Sequence, residues 1–122
     1  MPGGTVPYLA GRFGIVDEMN VVPGAEERGS AAETFRRLYW DTALSWGKPV
    51  MRVLRDVAGI DRVLFGSDYP YLRRDLAVSC RQRIEANPEL TTSERTAVLG
   101  GTATKLLPRL ASLRSQTQRQ AS

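Results

Sequence analysis

Asp68 and Asp41 are the residues of this sequence best placed to do chemistry, and Arg12 is best placed to hold a charged ligand. Asp68 lies in the run Arg62-Val63-Leu64-Phe65-Gly66-Ser67-Asp68-Tyr69-Pro70. A short apolar run bounded by turn residues reads as a strand buried on both faces, as in parallel sheets. Gly66 lets the chain turn sharply as it leaves that strand. Asp68 then stands just past the strand's C-terminal end, where α/β folds gather their reactive groups. It can also close a turn or cap the next helix. Asp41 is its counterpart at the end of a second predicted strand, and two carboxylates on neighbouring parallel strands can share a site. The alternative for Asp41 is that it orders the following loop through backbone hydrogen bonds. Arg12 can grip a carboxylate through two parallel hydrogen bonds, or it can be a solvated or interface arginine.

Other candidates are weaker. Gly3-Gly4 ahead of a predicted helix can bind an anion or simply form a turn. Trp40, Trp46, Tyr39 and Tyr8 read as core residues in preference to ligand stackers. Cys80 falls on the apolar side of a predicted helix and reads as an inert buried thiol. The chain contains no histidine. It therefore lacks the commonest acid–base residue and the commonest metal ligand, and within itself it excludes a Ser-His-Asp triad, a zinc finger and a histidine cage.

The elements that must position these residues follow from spacing. A helix is predicted over residues 5–19, with Thr5 as its cap, Pro7 in the first turn and Leu9, Phe13 and Val16 on one face; Gly11 and Gly14 count against it. A loop carrying Pro23-Gly24 follows. Ser30-Ala-Ala-Glu33 matches a capping box and starts a helix to about Arg37. Leu38-Tyr39-Trp40-Asp41-Thr42-Ala43 reads as a strand ending near Asp41. Residues 47–59 form the clearest helix, with Val50, Val53, Leu54 and Val57 at helical spacing and Gly59 as its stop. The strand at residues 63–65 comes next. A helix over residues 72–86 puts Leu76, Cys80 and Ile84 on one face, and Asn87-Pro88 ends it. Thr91-Thr-Ser-Glu94 is a second capping box opening a helix to about Leu99. Gly100-Gly101 interrupts it, and residues 102–107 form a last helical piece. Strands alternating with helices imply a parallel sheet, yet only two strands can be found. Such a sheet has open edges and covers few of the helices' apolar faces.

The bulk numbers fit one modest α/β domain. At 122 residues the chain is too short for a complete eight-stranded α/β barrel, which needs about 250. Hydrophobic content of 42% and charged content of 25% are those of a globular protein. The net charge of +4 comes from 17 basic residues, of which Lys48 and Lys105 are the only lysines. The arginines are scattered apart from Arg36-Arg37 and Arg73-Arg74, which argues against nucleic-acid binding. Residues 112–122 are almost devoid of apolar side chains and are expected to be a disordered tail after a domain over residues 1–111. A single cysteine rules out an internal disulfide and fits a cytoplasmic protein. No stretch has the length and apolarity of a membrane span, and the N-terminus shows no signal-peptide pattern.

Three segments together carry a resemblance: Gly3-Gly4-Thr5-Val6-Pro7-Tyr8-Leu9-Ala10-Gly11-Arg12, Tyr39-Trp40-Asp41-Thr42-Ala43, and Val63-Leu64-Phe65-Gly66-Ser67-Asp68-Tyr69-Pro70. Over roughly residues 3–108 the chain resembles the C-terminal third of amidohydrolase-related proteins. The branch it looks most like is the aminocarboxymuconate-semialdehyde decarboxylase group, with its related aromatic-acid decarboxylases. That family is a metal-dependent TIM-type (β/α)8 barrel acting on small carboxylic acids. The resemblance implies that residues 38–41 are strand seven and residues 63–65 strand eight. It implies that Asp68 is the family's metal-binding and proton-handling aspartate. Arg12 would match the arginine that holds the substrate carboxylate, in some members across a dimer interface. The family's remaining ligands to its divalent metal, expected to be zinc, are histidines. Its sixth-strand histidine would fall here at Met1 or Pro2, neither of which can replace it. The family's usual Asn-Ala pair near the C-terminus is Thr102-Ala103 here.

A metal held by one carboxylate has no useful affinity, since a catalytic zinc uses about three protein ligands. The expectation is therefore a C-terminal piece of a metal-dependent decarboxylase or hydrolase, inactive alone and incomplete as a stand-alone domain. It would be a truncated product, a misassigned start, or an assembly module that complements a separate N-terminal part. A non-catalytic binding protein is the remaining alternative. Apolar faces stripped of their barrel neighbours are expected to drive self-association or homodimer formation.

Overall fold

The computed structural model describes residues 5–21, 23, 24, 27, 29–110 and 112. The Gly3-Gly4 anion site and all of the expected tail except Ser112 lie outside these residues.

Helix α1 spans Val6–Met19, and Gly11 and Gly14 do not break it. Thr5 precedes it without the predicted side-chain cap, its backbone being already helical, so its hydroxyl is not aimed at the first turn. Asn20 ends the helix in the left-handed region at φ 47°. Helix α2, Ala31–Arg37, opens with the predicted capping box. The Glu33 N–H donates to Ser30 Oγ at 3.2 Å, and the Ser30 N–H donates to Glu33 Oε2 at 2.8 Å. Asp17 ties the two helices by accepting the Ala31 N–H at 2.7 Å. Phe13 meets Phe35 edge-on at 5.7 Å between centroids, and Phe35 meets Trp40 at 5.9 Å. The Trp40 indole N–H donates to the Phe35 carbonyl at 3.1 Å, which fixes α2 against the strand that follows.

The strands are shorter than predicted. β1 is Trp40–Asp41 and β2 is Val63–Leu64, paired in parallel with Trp40 opposite Val63 and Asp41 opposite Leu64. Leu38, expected within the first strand, closes α2 and is 48% exposed. Pairing ends where a neighbour ends, and the sheet has only these strands among the described residues. Helix α3, Lys48–Val57, joins them and is followed by a single 3-10 turn, Ile60–Arg62. Gly59, at φ 90°, donates its N–H back to the Leu54 and Arg55 carbonyls and stops α3 as predicted. The fully buried stripe of α3 is Met51, Leu54 and Ala58, with Val50 and Val57 at its margin. The predicted stripe is thus rotated by one residue.

Helix α4 spans Arg74–Glu85 and buries Cys80 and Ile84. Leu76, predicted on the same face, is 36% exposed, because nothing among the described residues covers the first turn. Helix α5, Thr92–Thr96, carries the second predicted capping box, built by Thr91 and Glu94. It runs into a widened π-type turn, Ala97–Gly101, and then α6, Thr102–Leu106. Gly100 breaks the helix there, at φ 156° and ψ −17°. The Val98 carbonyl of this turn accepts the Phe65 N–H at 2.9 Å, on the edge of β2 away from β1.

The core is Phe35, Trp40, Met51, Leu54, Ala58, Val63, Ile84, Leu90 and Val98. Arg55 anchors α3 to the C-terminal half: it donates to the Glu94 carboxylate from Nε at 3.1 Å and from its terminal nitrogen at 2.9 Å, and also to the Glu89 carbonyl. Hydrogen bonds from Thr91, with Arg55 behind them, hold the Glu94 carboxyl below its ordinary range. Outside this core, fifteen large apolar side chains are exposed among the described residues, including Tyr8, Ile15, Met19, Tyr69, Tyr71 and Val78. Parallel sheets are normally covered on both faces. Here the covering is partial. No helix among the described residues is long and apolar enough to cross a membrane.

Candidate active site

The carboxyl ends of β1 and β2 carry Asp41 and Asp68, as parallel strands require. Asp41 is half-buried, and its Oδ1 accepts the Ala43 N–H at 2.9 Å. It therefore does order the loop after the strand. It also lies over β2, since a Cβ placed on Gly66 would sit 3.3 Å from Asp41 Cβ and 3.5 Å from Oδ1. A side chain at 66 would push Asp41 away by a few tenths of an ångström.

Thr42, singled out by nothing in the sequence, joins the two strand exits. It is completely buried, and its N–H donates to the Leu64 carbonyl at 3.0 Å. Its hydroxyl donates to the Gly66 carbonyl at 3.1 Å and accepts the Gly66 N–H at 3.1 Å. A threonine after a strand-end aspartate looks like any β-forming residue, so only the pairing register reveals it.

Asp68 lies beyond Gly66 in a left-handed conformation at φ 61°, which few side chains other than Asn and Asp adopt readily. Its carbonyl accepts the Leu72 N–H at 2.9 Å, closing a turn toward α4, and the intervening Tyr69–Pro70 peptide is cis. The Asp68 side chain is half-buried. Among the described residues its carboxylate makes no hydrogen bond or ion pair. Its backbone closes a turn while its carboxylate is left available.

Arg12 is exposed on α1, which packs on α2 and α3. Among the described residues no hydrogen bond or ion pair joins it to Asp68. Trp40 is core, as read, and Trp46 packs at the core's margin with the Arg83 guanidinium 5.9 Å from its ring centre. Tyr8 and Tyr39 are not core: they are 65% and 41% exposed, and the Arg62 guanidinium sits 4.9 Å from the Tyr39 ring centre. Cys80 is fully buried, and burial raises its thiol pKa, which keeps it protonated.

An open groove of about 840 Å³ runs from the exit of β2 along α4, lined by Phe65, Ser67, Tyr69, Val78 and Arg81 among others. Ser67 and Tyr69, which line it, flank Asp68 in the chain. The donor set for a metal is inadequate. Among the described residues no three of His, Cys, Asp or Glu converge at Asp68 or elsewhere. The residues present do not fit a catalytic metal.

Comparison with known proteins gives a consistent answer. Residues 7–109 match the family model described as amidohydrolase. Over 113 residues the chain is 35% identical to 6-methylsalicylic acid decarboxylase of Penicillium expansum, covering 88% of this chain and 33% of that protein. Among solved structures, 5-carboxyvanillate decarboxylase from Sphingomonas paucimobilis superposes with a TM-score of 0.70 at 23% identity, over 85% of this chain and 31% of its own. A 5-carboxyvanillate decarboxylase from Novosphingobium aromaticivorans with bound manganese superposes with a TM-score of 0.66 at 16% identity, over 83% and 30%. The chain thus spans about a third of the length of the relatives it matches.

Proposed function

The chain belongs to the amidohydrolase family, and on that premise we propose that it forms the C-terminal third of a metal-dependent decarboxylase acting on a small aromatic or related carboxylic acid. The observation that carries this reading is the 35% identity to a 6-methylsalicylic acid decarboxylase across nearly the whole chain. On this reading β1 and β2 are strands seven and eight of the barrel, and Asp68 is the carboxylate that handles a proton beside the substrate. Arg12 holds the substrate's carboxylate, from a neighbouring subunit if not from its own, since no hydrogen bond or ion pair among the described residues joins it to Asp68. A divalent metal, zinc or manganese, belongs to the assembled barrel and not to this chain, whose donor set does not fit one. We place the protein in the cytoplasm, on the single buried thiol. The 122-residue chain is inactive by itself.

The exposed apolar residues favour one elaboration: the chain works as the complement of a separate N-terminal part that covers them. The test is carbon dioxide release from 6-methylsalicylate with manganese or zinc added. The purified chain alone is expected to give none. Co-production with the first two thirds of the Penicillium protein is expected to give release that Asp68→Asn abolishes. Metal-stimulated turnover by the chain alone would overturn the proposal.

A further inference from the structure

We propose that Thr42 is a positioning residue for Asp68, an inference that rests on reading Asp68 as the proton-handling carboxylate of the site. The main-chain ladder between β1 and β2 ends at the bond from the Thr42 N–H to the Leu64 carbonyl. Beyond it, the Thr42 hydroxyl takes over. Its oxygen accepts the Gly66 N–H and its hydrogen goes to the Gly66 carbonyl, each at 3.1 Å. One side chain thus satisfies both backbone groups of a residue 24 positions away. Asp41, the preceding residue, closes over the α-carbon of the same glycine. Gly66 is held by two successive residues of β1.

The consequence reaches Asp68 through its backbone. Its carboxylate has no partner among the described residues, so its direction is set by the backbone that carries it. That backbone is in the left-handed region at φ 61°, a conformation that persists only where the surrounding structure imposes it. Across the turn the Tyr69 N–H donates weakly to Ser67 Oγ at 3.4 Å, and the turn is anchored at two ends. One is the Leu72 N–H bonded to the Asp68 carbonyl, and the other is the Gly66 peptide fixed by Thr42. A threonine that merely strengthened the sheet would make its loss a uniform weakening. A positioning threonine makes its loss a local change in the turn at residues 66–68.

The test uses isotope-labelled full-length chain and nuclear magnetic resonance, comparing Thr42→Val and Thr42→Ser with the natural sequence. Thr42→Val keeps the shape and removes both hydroxyl bonds; Thr42→Ser keeps the hydroxyl. The readouts are the exchange protection of the Gly66 amide and the HN–Hα coupling of Asp68, which reports its positive φ. The Val63 and Leu54 amides serve as controls for the core. Thr42→Val is expected to lower Gly66 protection at least tenfold beyond any change at the controls and to shift the Asp68 coupling, and Thr42→Ser to restore both. An Asp68 coupling unchanged in Thr42→Val, with all amides altered alike, would overturn the proposal. If Thr42→Val does not fold, Thr42→Cys, with a much weaker donor and acceptor, makes the same comparison, and an unmoved Asp68 overturns the proposal there too. No activity is read, so this outcome is separate from the decarboxylase reading, which the co-production assay decides.

Discussion

The left-handed backbone of Asp68 makes a graded prediction that separates its conformation from its chemistry. At φ 61° a side chain with a Cβ is disfavoured by about 1–2 kcal/mol, with Asn and Asp the least penalised of the residues other than glycine. The carboxylate has no partner among the described residues, so its removal breaks no bond, and substitutions there report mainly on the backbone. Asp68→Asn should leave stability unchanged within about 0.5 kcal/mol, because Asn tolerates the same region. Asp68→Ala should cost about 1 kcal/mol, since alanine gains nothing locally to offset the crowding. Asp68→Gly relieves that crowding but gives back about 0.4–1 kcal/mol through the freer unfolded chain. It should therefore be roughly 0.5–1 kcal/mol more stable than Asp68→Ala. The assay is urea unfolding under conditions where the chain is monomeric, or native-state hydrogen exchange where it is not. With a urea slope of about 1–3 kcal/mol/M, a 1 kcal/mol step moves the midpoint by roughly 0.3–1 M, which is measurable. Equal stability of the Ala, Asn and Gly variants would refute the conformation. A strongly destabilised Asp68→Asn would refute the available carboxylate, because it would mean that the charge was paired.

Three further outcomes follow from the same packing. Gly66→Ala should cost about 1–2 kcal/mol in the same unfolding assay, because its new Cβ lies 3.3 Å from Asp41 Cβ and the strands must part slightly; a neutral effect would place Asp41 elsewhere. Stability should fall at both ends of the pH scale. Glu94, held by Thr91 and Arg55, and Glu89, held by Arg52, have lowered folded pKa values. Their contribution is present above the ordinary carboxyl value near ~4.3 and is lost as pH falls through the lowered values. Cys80 has a raised folded value, so its contribution is present below the free thiol's ~8.5 and is lost as pH rises beyond it. Urea midpoints against pH should show both limbs, with Glu94→Gln flattening the acid one and Cys80→Ala the alkaline one; unaltered limbs would count against these pairings. Sedimentation should show self-association that Val78→Lys weakens, because Val78 is 54% exposed in the groove along α4, and a strictly monomeric chain would contradict it.

Local rules made the helices legible. Ser30 with Glu33 and Thr91 with Glu94 need only four consecutive residues to form a capping box, and both boxes formed. Gly59 stops α3 by its own conformational freedom. What escaped the sequence depends on neighbours outside the segment. Tyr39 and Thr42 have strand-forming character, but the sheet among the described residues has only two strands, so β1 is confined to Trp40–Asp41. Met51 replaces Val50 and Val53 at the centre of the buried stripe because the face α3 buries is set by the shared core it joins with Trp40 and Val63, not by its own pattern. Of the candidate site, the placement of Asp41 and Asp68 at strand ends could be read from the apolar runs and the glycine that follows. The loop-ordering bond of Asp41, to an N–H two residues on, is local and is one of the two readings its position offers. The clamp from Thr42 to Gly66 could not be read, because it depends on the register between segments 24 residues apart.

On the proposed reading, the unfinished surface and the unfinished site share one physical origin. Parallel strands deliver their reactive residues at one end and their apolar flanks at the sides. A chain that holds only β1 and β2 therefore lacks side neighbours and site neighbours together. Tyr69 shows the coupling most directly: it is 64% exposed, lines the groove along α4 and is bonded in the chain to Asp68. A segment that shelters Tyr69 therefore covers a residue adjacent in the chain to the candidate carboxylate. Elements that complete the packing next to β2 are thus the same elements that could bring further ligands to Asp68. Covering the groove without reaching the site would require a partner that stops short of Ser67 and Tyr69, which the continuity of the groove from the exit of β2 along α4 does not favour.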